Sequence, residues 1–165
     1  MTTEERLANV EQKLAATRKE LADLRAELAA GFTTRQVEII DEAGMRRALL
    51  GMHTDGGSGL DLFDETGTRR ALLGVHAGGG SGLILHDAAG ENRAALGVHA
   101  NGGPGLRLYD AAGKPRALLN MRANTGPRLD LFDENGTLRA GLTVDKNGPG
   151  LSLADAAGKG IWSAP

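Results

Sequence analysis

No cysteine occurs in the 165 residues, so disulfides and thiolate metal sites are excluded, while the redox character of the surroundings stays open. Aromatic bulk is scarce: three Phe, one Tyr and one Trp beside 25 glycines leave too little volume for one large core, which must instead be thin and repetitive. An excess of either charge is missing as well. Nineteen basic and 21 acidic residues are interspersed, for a net charge of −2, and no basic footprint for nucleic acid or an anionic membrane results. No apolar run is long enough to span a bilayer, and MTTEERLANVEQKL lacks the apolar stretch of a secretory signal, so a soluble chain without a classical export signal is expected. Catalytic signatures are absent too. None of the four serines (58, 81, 152, 163) lies within Gly-x-Ser-x-Gly, and neither His-Glu-x-x-His nor a Walker-type glycine loop is present.

What the chain does have is a repeat. An Asp-x-x-Gly step recurs at Asp41/Gly44, Asp64/Gly67, Asp87/Gly90, Asp110/Gly113, Asp133/Gly136 and Asp155/Gly158, at intervals of 23 residues and finally 22. Three residues after each Gly stands Arg47, Arg70, Arg93, Arg116 or Arg139, until Ile161 takes that place. A chain built of five full units and a partial sixth stacks like pieces, none of which buries its apolar face alone.

Each unit reads as two strands. In Leu60-Asp61-Leu62-Phe63 the leucines share one face; Asp64 to Gly67 suits a type I turn with Gly permitting a left-handed exit. Arg70 to His76 then forms the second strand, and Ala77 to Gly82 loops into the next unit. The nearly invariant positions of that second strand, Ala48/Ala71/Ala94/Ala117/Ala140, Leu50/Leu73/Leu96/Leu119/Leu142 and Met52/Val75/Val98/Met121/Val144, are expected to be the core. Their neighbours Leu49, Leu72, Ala95, Leu118 and Gly141 vary more, as on a face partly covered or touching another chain. A parallel single-chain β-solenoid, the alternative, stacks equivalent Asp and Arg residues in like-charge columns about 4.8 Å apart; an antiparallel meander avoids this and lets each Asp meet an Arg across the hairpin or from a neighbouring chain.

Residues 3–30 follow a heptad instead, with Leu7, Leu14, Leu21 and Leu28 at a and Val10, Thr17 and Leu24 at d. Thr2 and Glu5 supply a capping box and Gly31 a C-terminal stop. The expected organisation is an oligomerisation helix over 3–30, a linker over 31–36 and an all-β repeat region over 37–165. Arg6-Leu7-Ala8-Asn9-Val10-Glu11 resembles the Arg-h-x-x-h-Glu trimerisation motif of short parallel coiled coils. The pairs Arg6/Glu11 and Glu20/Arg25 are complementary in a parallel arrangement, whereas Lys13/Arg18 is repulsive. A parallel homotrimer is expected, with a dimer as the alternative, its three meander sheets turned inward as a β-prism or shaft.

A coiled coil followed by a slender β-repeat shaft with Gly-rich turns resembles, in architecture, the trimeric fibres of phage tails and bacterial adhesins. That resemblance implies a non-enzymatic structural fibre, shaft or spacer, cytoplasmic or belonging to a virus particle. The alternative is an adhesion fibre with contacts at its C-terminal tip or lateral surface, where Ile40, Phe63, His86, Tyr109 and Phe132 form an exposed ring.

Few residues point to bound groups. Gly56 to Asp64 fits the calcium nonapeptide of β-rolls, but Ile84 and Arg107 replace the acid in the next units, so no cofactor is expected. His53, His76 and His99 share one repeat position, later taken by Arg122 and Asp145; in a trimer they are candidate metal rings, yet each follows an inward residue and is expected on a solvated edge. Trp162 is the candidate contact residue of the tip, and with Ile161 it also suits a hydrophobic plug over the last repeat.

Overall fold

The computed structural model describes residues 2–29, 34–122 and 126–164, without the side chains of Leu28 and Arg122. The side chain of Leu28, the stop at Gly31 and the first half of the 31–36 linker therefore lie outside the described residues. The chain divides into two units, 1–35 and 36–165.

The first unit is one helix, α1 (Thr3–Ala29). Its capping box forms as the Thr2 and Glu5 spacing predicts: Thr2 N–H donates to Glu5 Oε2 at 2.6 Å, and Glu5 N–H donates to Thr2 Oγ1 at 3.3 Å. Leu7, Val10, Leu14, Leu21 and Leu24 stand exposed along it.

The second unit is one antiparallel meander of twelve strands in sequence order: β1 (Gln36–Ile40), β2 (Arg46–Met52), β3 (Ser58–Phe63), β4 (Arg69–Val75), β5 (Ser81–His86), β6 (Asn92–Val98), β7 (Pro104–Tyr109), β8 (Pro115–Arg122), β9 (Gly126–Phe132), β10 (Leu138–Asp145), β11 (Gly148–Ala154) and β12 (Gly160–Ala164). Equivalent strands of successive units lie two apart, so the like-charge columns of a solenoid do not arise and the solenoid alternative is not the one adopted. The Asp-first turns form as read. Asp64 O accepts from Gly67 N, Asp64 Oδ1 accepts from the N–H groups of Thr66 and Thr68 at 3.0 Å each, and Gly67 sits at φ +80°.

The segment Ala77–Gly82 is not the loose loop expected. His76 N–H bonds Gly80 O and Gly79 N–H bonds His76 O, the same backbone path as in the Asp turns, and His53 and His99 begin turns of the same kind.

Registers place the leucines of odd and even strands on one face: Leu50 opposite Leu60, Leu60 opposite Leu73, Leu73 opposite Leu83, and so on to Leu153 opposite Trp162. This is the predicted alternation, and its alanine positions hold as expected, with Ala48 6% exposed and Ala71, Ala94, Ala117 and Ala140 half-buried, but burial is reversed at the leucines. Leu73 is 57% exposed and Leu50, Leu96, Leu119 and Leu142 are similarly open, whereas Leu72 on the opposite face is only 6% exposed. Curvature is the reason. Gly51, Gly59, Gly74, Gly82, Gly97 and Gly105 face one another on six successive strands of the Leu72 side. A Cβ on Gly59 would lie 2.7 Å from Leu73 O, and one on Gly74 2.7 Å from Ser58 O, so the sheet folds over this face where only glycine fits. The Leu72 face, packed over this glycine ladder, is the concave side of an open sheet; the Leu73 face is the convex side, and no second layer covers it among the described residues.

Truncating Leu72 to Ala should therefore cost the isolated chain about 2 to 5 kcal/mol. Leu73→Ala should change its stability little at the lowest protein concentrations, and any larger effect should grow with concentration. Thermal melts over a dilution series separate the two, and a concentration-independent loss at Leu73 equal to that at Leu72 would show the face assignment to be wrong.

Candidate functional site

Two sets of residues stand out along the sheet, and the first begins at a β-bulge in each unit. Leu62 pairs with Ala71 but Phe63 with Arg69, leaving Arg70 as the extra residue; the same slip sets apart Arg47, Arg93, Arg116, Arg139 and Ile161. The bulged arginine turns back to its own turn: Arg70–Asp64 is 3.1 Å, Arg116–Asp110 3.3 Å and Arg139–Asp133 3.3 Å, with Arg93–Asp87 also paired and Arg47–Asp41 at 3.9 Å. It also reaches forward. Arg70 Nε donates to His86 O at 3.2 Å, Arg116 Nε to Phe132 O at 2.9 Å, Arg139 Nε to Ala154 O at 2.9 Å, and Arg93 Nη1 to Asp110 O. Asp and Arg thus meet within one unit and fasten it to the next, rather than across chains as one reading allowed.

These bonds depress the carboxylates. Asp64 is lowered to about 2, first by the Thr66 hydroxyl and then by Arg70 and the turn amides, against an opposing effect of burial. Asp87, Asp110 and Asp133 are lowered chiefly by the backbone N–H of Glu91, Lys114 and Thr137, with their arginines adding to it.

The concave face carries a second set. Asp61, 3% exposed, accepts from Arg69 Nη1 at 3.2 Å and lies 2.8 Å from His53 Nε2. Asp130, also buried, is held by Arg128 Nε at 2.6 and 2.7 Å, and Glu38 pairs with Arg46 at 2.9 Å. The Asp61 carboxylate of the nonapeptide match is thus occupied by Arg69 and His53. His86 was expected in an exposed ring; it is 8% exposed and neither ring nitrogen has a partner. Burial first, and Arg69 next, push its pKa down, so a neutral imidazole fills the position. Phe63, Tyr109 and Phe132 of the same row are half-buried, Phe63 with Arg46 5.9 Å above its ring, and only Ile40 is exposed as expected.

The three candidate histidines fall in successive hairpin turns. Among the described residues no group of three or more His, Asp or Glu is placed to hold one ion. Far from being a solvated edge residue, His53 is partnered by Asp61, while His76 and His99 are exposed. Trp162 and Ile161 do not plug the end of the core: Trp162 pairs opposite Leu153 on the convex face, 49% exposed, and Ile161 is exposed at the last bulge. The heptad residues Leu7, Val10, Leu14, Leu21 and Leu24 are brought together only as an exposed stripe. Asp61, Asp130 and Arg69 were missed as a group, although an acidic residue between two leucines of one strand was the signal for the two aspartates.

No protein-family model matches the chain, and no curated protein matches it.

Lowered carboxylates give the fold an acid limit with a definite sign. Folding weakens proton binding at Asp64, Asp87, Asp110 and Asp133, so their contribution is complete above the ordinary aspartate value of about 4 and is lost as pH falls through their lowered values, about 2 at Asp64. Melting temperature followed by circular dichroism should fall through that window, and replacing the four by Asn should flatten the fall while keeping the turns. An unchanged slope in the variant would refute the assignment.

Proposed function

We propose that this chain is a non-enzymatic structural fibre, shaft or spacer protein that works as a parallel homotrimer. The observation that carries this reading is the convex face of the sheet. From Val37 to Trp162 it presents large apolar side chains on every strand, half-exposed and contiguous, whereas monomers rarely leave apolar patches beyond a few hundred Å² open. The heptad stripe of α1 supports the same reading independently, because a leucine seam at a and d is satisfied by like helices. Repetition of one ion-paired hairpin, with no single residue set apart for chemistry, favours a mechanical role over catalysis. The alternative, an adhesion fibre, draws on the concave face, where side chains differ most from unit to unit.

Removal of one unit, Leu83 to Gly105, tests the spacer reading. It excises two strands and rejoins Gly82 to Leu106, which preserves turn register and the glycine ladder. Small-angle scattering should find an associated particle shorter by about 10 Å, two strand spacings. In parallel, Leu14→Asp with Leu21→Asp should weaken association. A deletion variant that no longer associates, or whose length is unchanged, would contradict the proposal.

A further inference from the structure

Charged groups on the concave face are matched along most of its length. Glu38 has Arg46, Asp61 has His53 and Arg69, and Asp130 has Arg128. The match fails in the third and fourth units. Eight residues after each turn histidine lies the position that Asp61 fills for His53; for His76 it is Ile84, and for His99 it is Arg107. Neither histidine ring has a hydrogen-bond partner among the described residues, and Arg107, paired in register with Ala95 and Leu118, has no carboxylate.

These unmatched groups surround a cavity. A trough of about 300 Å³ opens there, floored by Ile84, Ala95 and Leu118 and flanked by His76, His99 and Arg107. The glycine ladder makes the room, since its members carry no side chain into the concave face, and His99 Nε2 lies 3.8 Å from the place a Cβ of Gly105 would occupy. A second trough of about 330 Å³ continues on the side of Asn120 and shares His99, Arg107 and Leu118. The volume lies at the small end of ligand pockets, and the composition is theirs: an apolar floor with a few convergent polar groups.

We propose that this trough binds a small apolar carboxylate, an aryl acid in size and shape. Arg107 takes the carboxylate through the two-pronged geometry of its guanidinium, His76 and His99 donate N–H bonds at the rim, and the flat apolar body rests on Ile84, Ala95 and Leu118. A carboxylate arriving there supplies the acid that the Asp61 position lacks in these units. The site lies on the face opposite the convex apolar surface and stands whether or not the chain associates.

The probe is 2-naphthoate, titrated against the full chain while the histidine ring protons are followed by NMR. The signals of His76 and His99 should move with saturation, and His53, already held by Asp61, should not. Arg107→Ala should weaken binding at least about tenfold, the scale of one charge-assisted contact. Ile84→Asp, which gives His76 the partner that His53 has, should also weaken it without loss of the β signal. The neutral 2-naphthamide distinguishes the proposal from plain apolar trapping. Equal binding of the amide, unchanged affinity in Arg107→Ala, or no shift at millimolar probe would each overturn the proposal.

Discussion

A single layer of β-sheet has two faces and can close only one of them upon itself. In this chain the concave face packs over its own glycine ladder, and it buries Leu72, Asp61 and Asp130 without help from another element. The convex face has no such recourse. Each strand leaves at least one large side chain exposed there, among them Leu62, Leu73, Leu85 and Leu96, and the proposed association follows from that constraint rather than from any motif. The same geometry accounts for the composition: glycine where neighbouring strands fold over one another, few aromatics because no thick core has to be filled.

Length is built up by one device used repeatedly. The bulge at the start of each even strand from β2 to β10 frees an arginine from the ladder, its own turn aspartate holds it, and in four of the five its guanidinium fastens a carbonyl of the following unit. The aspartate is not spare while doing this, since its other oxygen caps two turn amides. The period is therefore set by local hydrogen bonds. Its one irregularity, 22 residues between Asp133 and Asp155, has a plain origin: the hairpin at Asp145–Gly148 joins Val144 to Pro149 with one residue fewer than the hairpin that joins Val98 to Pro104.

Much of this was legible in the sequence, because turn chemistry and two-residue alternation are local. The capping box at Thr2 and Glu5, the Asp-first turns and the shared face of Leu50, Leu73 and Leu96 all follow from spacing alone. Which face closes did not, because alternation separates two faces without saying how the sheet bends between them. The clue lay in the glycines at 51, 59, 74, 82, 97 and 105, which read as poor strand residues singly but in register mark the concave side. His86 was misplaced for a related reason. A polar residue in a row otherwise held by Phe63, Tyr109 and Phe132 looked solvated, and curvature buried it.

The central claim is that the convex face and the heptad stripe are covered by two further copies of the chain. Light scattering coupled to size-exclusion chromatography at micromolar concentration measures this directly. The account predicts a particle of three times the 17.1 kDa chain mass. A stable, well-folded monomer of 17.1 kDa with the convex leucines still open to solvent would contradict it.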